Sequence, residues 1–193
     1  PAKEFQMNSI QKKAWKKNQD LGINIISTHQ ATDEHYKLYE RYINERHADG
    51  DMFPPTQEQF EKFLVLSCTE SIFIEFRLNE KLIAVSTCDQ LDDGLSAVYT
   101  FFEPLESKRS LGTFAVLKQI EYATNLGLDY VYLGYWVPHS NKMNYKSQFI
   151  PLDLLLDGQW RRLNRTLTNE EILQLGNSLM TTLPTGWNHP VIK

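Results

Sequence analysis

"SIFIEFRLNEKLIAVSTCDQLDDGLSAVYTFFEP", residues 71–104, decides the fold. Apolar side chains recur at every second position through 71–78, 81–89 and 95–104, and the interruptions are "NE" and "QLDDG". Period-two runs rich in β-branched and aromatic residues, separated by turn-formers, predict three consecutive strands in an antiparallel meander.

Upstream the period changes to that of a helix. In "TDEHYKLYERYINERHADG" (32–50) Thr32 can cap, Asp33 and Glu34 suit the first turn, and Tyr36, Tyr39 and Ile43 share a face. "PPTQEQFEKFLVL" (54–66) gives a second helix, with Thr56 and Gln59 at capping-box spacing and Phe60, Phe63 and Leu64 turned inward. Downstream, "SLGTFAVLKQIEYATNLG" (110–127) places Leu111, Phe114, Leu117 and Ile120 on one helical face, with Gly127 at the C-terminal cap. "LDYVYLGYW" (128–136) reads as a strand, "NKMNYKSQF" (141–149) as a short helix and "QWRRLN" (159–164) as a last short strand. "TNEEILQLGNSLM" (168–180) reads as a weak helix in the tail. This element order is similar to that of the GNAT-like (acyl-CoA N-acyltransferase) fold, a mixed, largely antiparallel α/β sheet flanked by helices that splits where its ligand enters. The chain then divides into a basic N-terminal arm (1–24), a GNAT-like domain (25–165) and a C-terminal extension (166–193).

The totals narrow the function classes. At 193 residues the chain builds one domain of ordinary size, and 41% hydrophobic with 23% charged residues is a globular composition. No apolar run approaches the roughly 18–20 residues that span a bilayer, and the start does not resemble a signal peptide, so a cytoplasmic protein without membrane contact is expected. Cys68 and Cys88 form no Cys-x-x-Cys pair and the five histidines show no His-Glu-x-x-His spacing, so no metal site is expected. Net charge is −4, yet lysines cluster in "SIQKKAWKKNQDL" (9–21), where Lys12, Lys13, Lys16 and Lys17 surround Trp15, and a second cationic patch spans 141–165. Local cationic patches on an acidic chain suit a focused polyanion contact.

Three stretches carry candidate chemistry. "ESKRSLGTF" (106–114) joins a strand to a helix. Lys108 and Arg109 add charge there, and Leu111, Gly112 and Thr113 form a helix start able to receive phosphate or carboxylate; the competing reading is an ordinary loop. "VYTFF" (98–102) puts Tyr99 and Phe101 on one strand face, as core filling or as a stacking platform for a nucleobase. Tyr132, Tyr135, Trp136 and Tyr145 add more polar aromatics than a core needs, since every buried hydroxyl or indole N–H must find a partner.

"YLGYWVPHSNKMNYKSQFIPLDLLLDGQWRRL" (132–163) closely resembles the C-terminal domain of the aminoacyl-tRNA–protein transferases, the arginyltransferases and the bacterial aspartate/glutamate leucyltransferases. "NSIQKKAWKKNQDL", "YERYINERHADGDM", "IAVSTCD", "LSAVYTFFEP" and "SLGTFAVLKQIEYA" extend the resemblance over about residues 5–163, and "KMNYK" looks like the bacterial branch. Members of the family carry a cysteine-bearing region ahead of the basic arm, so the resemblance implies either a piece of a longer protein or a shortened member. It also implies transfer of an aminoacyl group from charged tRNA to a protein α-amine, with leucyl-tRNA favoured and arginyl-tRNA as the second donor, and with acceptors beginning with Asp or Glu. The aminoacyl ester is already activated, so no cofactor is implied. Under that resemblance Asp89 is the candidate acceptor or base for the amine, Tyr99 and Tyr145 are candidate proton donors, and Lys146 meets the oxyanion or the tRNA end. Arg46 and His47 read an acidic N-terminal side chain. Lys12, Lys13, Lys16 and Lys17 contact tRNA phosphates. Phe101, Tyr135, Trp136 and Asn144 wall the pocket for the terminal adenosine. The rival readings are an acetyl-CoA-dependent acetyltransferase of the same fold, disfavoured by the missing Gln/Arg-x-x-Gly-x-Gly/Ala signature, and a non-catalytic module holding charged tRNA or an acidic N-terminus.

Overall fold

The structure, a computed structural model, describes residues 1–66, 69–137, 140, 143–156, 158–165, 167–168, 170–171, 174 and 191–192. The meander is present as β2 (Ser71–Leu78), β3 (Lys81–Gln90) and β4 (Gly94–Phe102), paired antiparallel through Ile74↔Ser86 and Ser86↔Thr100. Asn79 and Glu80 both have positive φ, 47° and 67°. Two such residues make the tight turn whose twist matches the flanking strands.

Two strands flank the meander. β1 (Gly22–Ser27), absent from the sequence prediction, pairs antiparallel with β2, so sheet residues begin inside the stretch assigned to the arm. β5 (Tyr130–Tyr132) pairs parallel with β4, and the helix between them supplies the crossover. The sheet order is β1-β2-β3-β4-β5. The expected mixed, largely antiparallel sheet flanked by helices is what forms.

The first three α-helices begin at capping boxes. α1 (Ser9–Lys17) starts from Asn8, which exchanges hydrogen bonds with Gln11; α2 (Asp33–Arg46) starts from Thr32 with His35; α3 (Gln57–Phe60) starts from Thr56 with Gln59. α4 (Leu111–Asn125) ends at Gly127, whose φ of +78° closes the last turn. α3 continues as a π turn, Glu61–Val65, which corrects the expectation for Phe63. The wider turn breaks the i, i+3 register, so Phe60 and Leu64 point inward while Phe63 is 46% exposed.

α2 and α3 cover one face of the sheet, burying Leu38, Tyr39, Ile43, Phe60 and Leu64 against Phe73, Val85 and Phe101. α4 covers the other, with Leu111, Phe114 and Ala115 against Ile74, Phe76 and Ile83. A buried polar chain fixes the start of α2 to the sheet. The Thr32 N–H donates to His35 Nδ1 (3.0 Å), so the ring proton sits on Nε2 and donates to Glu75 (2.8 Å). Glu75 also accepts from Arg77 (2.9 Å), and Arg77 pairs with Glu34 (3.0 Å). Burial lowers the His35 pKa against the pull of Glu75, which keeps the imidazole neutral.

β4 runs on to Phe102, but its pairing with β5 ends at Ser96↔Tyr132. Gly134, with φ +76°, turns the chain away into β6 (Gly134–Tyr135). β6 belongs to a second sheet of order β6-β9-β7-β8, with β7 (Leu152–Leu156), β8 (Gln159–Leu163) and β9 (Val191–Ile192). The single strand predicted for 128–136 is therefore two strands in two sheets. The gap they open beside Ala97–Phe102 is the split expected of this fold. β9 carries the last described residues of the C-terminal extension into the second sheet, while the helix expected at 168–180 lies outside the described residues apart from isolated positions. Among the described residues no helix is long and apolar enough to cross a membrane.

Candidate active site

Four elements border the split: the upper half of β4, the end of α2, the start of α4, and the pairing of β6 with a 3₁₀ turn at Asn144–Gln148. Lys146 projects from that turn and its Nζ donates to the Tyr135 carbonyl at 2.6 Å. A Cβ built on Gly134 would stand 4.0 Å from this ammonium, an ordinary van der Waals contact, so what the position requires of glycine is its positive φ. No carboxylate pairs with Lys146 among the described residues. Burial lowers its pKa to about 8. A lysine held near neutrality can serve as a cation or as a proton carrier at physiological pH.

Tyr145 stands next to it, 41% exposed, with its ring 6.4 Å from that of Phe149. Burial around its hydroxyl pushes the pKa up, and the Tyr42 hydroxyl acts on it electrostatically. Tyr42, from the inner face of α2, is the hub. Its hydroxyl lies 3.3 Å from His47 Nε2, and its ring packs 4.9 Å from Phe102 and 6.3 Å from Tyr99. The guanidinium of Arg46, one helical turn on, sits 5.6 Å over the Phe102 ring. Phe102 in turn would lie 3.7 Å from a Cβ on Gly112, which brings the first turn of α4 into the same wall. Tyr99 is enclosed by Tyr39, Tyr42 and Phe63, and burial raises its pKa strongly, so it remains a phenol.

The structure thus joins Arg46, His47, Tyr99 and Gly112 through Tyr42 and Phe102, and sets Tyr135, Tyr145 and Lys146 together at the 3₁₀ turn. Tyr42 and Phe102 are the members that sequence reasoning missed. Tyr39, Tyr42 and Arg46 at i, i+3 and i+7 were the available signal, because that spacing lines one helix face. Thr113 lies in the first turn of α4 beside Gly112, and Asn144 opens the 3₁₀ turn with its Oδ1 buried and without a hydrogen-bond partner among the described residues.

Other candidates take different places. Phe101 and Trp136 are both 0% exposed, so the stacking role is corrected to core filling: Phe101 packs on Tyr39 and Phe60, and Trp136 lies under the second sheet. The Leu111 side chain is likewise core. Arg109 is committed to both Asp20 oxygens (2.9 Å each) and to Glu106 (2.9 Å), which makes it a staple between the α1–β1 turn and the loop before α4 rather than an anion reader. Asp89 accepts from Ser71 and pairs with Ser96. That rung lies two β3 residues from the Thr87↔Tyr99 pair, about 7 Å along the strand. Lys12, Lys13, Lys16 and Lys17 are exposed on α1, which packs on α4 through Ala14 and Trp15. Lys17 Nζ donates to the Lys108 carbonyl (2.5 Å), so the basic end of α1 adjoins the entrance to α4. Among the described residues no three His, Cys, Asp or Glu side chains approach closely enough to hold a metal ion.

The family profile "Arginine-tRNA-protein transferase, C terminus" matches residues 34–156, which span the site's α2, β4, α4 and 3₁₀ turn. This chain belongs to that family. An aspartate/glutamate leucyltransferase of Acinetobacter baylyi is 70% identical over 193 residues, all of this chain and 71% of that protein. Relatives of the same name from Hahella chejuensis (46% over 160 residues, 83% of this chain and 68% of theirs) and Pseudomonas fluorescens (49% over 164 residues, 85% and 69%) also match. A solved structure, the C-terminal DUF2156 domain of an Agrobacterium fabrum protein provisionally titled a lysylphosphatidylglycerol synthetase, superposes with a TM-score of 0.54 at 10% identity, covering 99% of this chain and 56% of that one. That likeness shows the fold. Family membership makes the chain an aminoacyltransferase whose substrates are an aminoacyl-tRNA and a protein.

Proposed function

We propose that this aminoacyltransferase moves leucine from leucyl-tRNA to the α-amine of proteins beginning with Asp or Glu, in the cytoplasm, as the step of an N-end rule pathway that marks them for degradation. The observation that carries the reading is 70% identity across the whole chain to a relative named for that donor and those acceptors.

The chemistry joins the acceptor nitrogen to the leucyl carbonyl carbon and breaks that carbon's bond to the ribose 3′ oxygen. The amine must attack as a free base, although an α-ammonium has a pKa of about 7.7–8.0. Charge then grows on the carbonyl oxygen, and the Lys146 ammonium, which donates to the Tyr135 carbonyl, is the candidate to stabilise it. The ribose oxygen leaves with a proton, for which the hydroxyl of Tyr145, next to Lys146 in the 3₁₀ turn, is the candidate donor. Arg46 is exposed at the end of α2 and steadied by Phe102, so its guanidinium is free to grip the acceptor's side-chain carboxylate with two hydrogen bonds. The lysines of α1 and Lys108 would follow the acceptor stem's phosphates. Positioning two substrates in one cleft supplies much of the remaining rate.

The test is transfer from leucyl-tRNA and arginyl-tRNA to peptides beginning with Asp, Glu, Lys or Ala. Leucine on the Asp and Glu peptides alone is the expected result. Efficient arginine transfer with none from leucyl-tRNA, or equal use of the Lys and Ala peptides, refutes the assignment.

A further inference from the structure

α1 and its C-terminal cap bury Gln11, Ala14 and Asn18 at i, i+3 and i+7, while Lys12, Lys13, Lys16 and Lys17 face water. A surface helix ordinarily buries an apolar stripe, yet two of these three side chains are carboxamides, Gln11 at 2% and Asn18 at 1% exposure. Each reaches a carbonyl far away in sequence. Gln11 Oε1 accepts the N–H of Asn8 (2.8 Å), which turns its amino group toward the Gln148 carbonyl (3.0 Å). Gln148 ends the 3₁₀ turn that carries Tyr145 and Lys146. The next residue, Phe149, donates its N–H to the Lys146 carbonyl (3.3 Å) and stacks on Phe5 (5.8 Å), so the segment leading into α1 holds the same turn at a second point.

Asn18 Nδ2 donates to the Ala14 carbonyl of its own helix and to the Arg109 carbonyl, 2.8 Å each. Its Oδ1 is buried without a hydrogen-bond partner among the described residues, a cost that the two donated bonds must outweigh. Arg109 leads through Ser110, at φ 55°, into the first turn of α4, where Gly112 faces Phe102. We propose that α1 is a bracket holding the Lys146 turn against the entrance of α4, with Gln11 and Asn18 as positioning residues for the transfer reaction proposed above, on which this inference rests. Seven residues of helix set the two tie points about 10 Å apart. Contact through Ala14 and Trp15 is non-directional and leaves the helix able to slide along α4. Hydrogen bonds to two separate loops fix it along its axis. The lysines assigned to tRNA stand on the outer face of the same helix, so donor docking and the placement of Lys146 share one rigid element.

Gln11→Met keeps the length of the side chain and cuts the tie to Gln148. With leucyl-tRNA and an Asp-initiated peptide it should lower kcat by about 10- to 100-fold, the scale of a small displacement of a catalytic group, with both KM values unchanged. Asn8→Ala weakens the helix cap but leaves the tie, since the backbone N–H of residue 8 still orients Gln11, and it should keep the parental kcat. Because Gln11 acts through the turn, Gln11→Met combined with Lys146→Met should be no slower than Lys146→Met alone. Amide hydrogen exchange at Lys146 and Phe149 should also quicken in Gln11→Met. If that variant folds poorly, Asn18→Leu carries the kinetic test at the other tie point, with the same fall in kcat expected. Parental kcat in the folded tie-point variant, an equal loss in Asn8→Ala, or deficits that multiply in the double variant overturns the bracket. A parental protein that transfers nothing from any charged tRNA refutes the functional reading itself, and the bracket's role with it.

Discussion

Replacing Lys146 with methionine should make the protein more stable and less active. The ammonium's pKa falls from the usual 10.5 to about 8 because the split desolvates it. At about 1.36 kcal/mol per pH unit the difference corresponds to about 3.4 kcal/mol against the charged form. The side chain is only half-buried, and water screening reduces this to roughly 1–2 kcal/mol. Methionine keeps most of the stem and removes the charge. The hydrogen bond to the Tyr135 carbonyl is lost, but Tyr135 is 46% exposed and water can take that place. A net gain of about 1 kcal/mol at pH 7 follows, or about 2–4 °C in Tm for a chain of this size. The sign depends on pH. A lysine whose folded pKa is depressed burdens the folded state below pH 8, where both states are protonated. The burden disappears between pH 8 and 10.5, as the folded amine loses its proton first. Urea unfolding at pH 7 and pH 10 should therefore show the variant ahead at pH 7 and level with the parent at pH 10. Saturated leucyl transfer should fall by about ten- to a thousandfold, on the scale of a lost oxyanion donor. A variant that is less stable at pH 7 by more than about 1 kcal/mol shows that the ammonium is well satisfied and the desolvation argument wrong. A fully active variant removes Lys146 from the chemistry.

Arg46→Ala should raise KM for Asp- and Glu-initiated peptides by about tenfold or more while leaving KM for leucyl-tRNA unchanged, since a charge-assisted hydrogen bond contributes about 1.5–3 kcal/mol; equal losses toward an Ala-initiated peptide would contradict the carboxylate role. Changing Lys12, Lys13, Lys16 and Lys17 together to Ala should weaken charged-tRNA binding and flatten its dependence on salt. Parental affinity and an unaltered salt slope in that variant would leave α1 as surface only.

What could be read from the sequence depended on whether the signal was local. The meander was legible because its period and turns lie within 34 consecutive residues, and the caps at Thr32 and Thr56 because each is closed by a residue three positions on. β1, β7 and β9 were not. "GINIIS" lies next to a lysine-rich helix that masks its character, "LDLLL" is apolar without alternation, and Val191–Ile192 is recruited from the chain's far end. The site divides the same way. Tyr145, Lys146 and Arg46 stand in stretches dense with unusual residue types. Arg109 is as conspicuous, and only the fold reveals Asp20 across from it, 89 positions away. Aromatic residues mislead for the same reason: Phe101 and Phe102 are adjacent in a strand, and alternation sends one into the core and the other to the rim under Arg46.

Gly134 shows why the opening exists at all. "YVYLGYW" has the composition of one continuous strand, and a continuous strand would have stayed paired along β4 and filled the edge at Ala97–Phe102. A single residue at φ +76° ends that pairing, and the chain then leaves for a second sheet. Past the turn the Tyr135 carbonyl accepts a hydrogen bond from one ammonium, that of Lys146, eleven positions on. Any side chain at 134 would have to adopt a left-handed backbone conformation that L-residues resist. The end of β5's pairing and the placement of this cation therefore meet at one backbone angle, and the glycine inside the 132–149 strand marks where the sheet stops and the candidate active site begins.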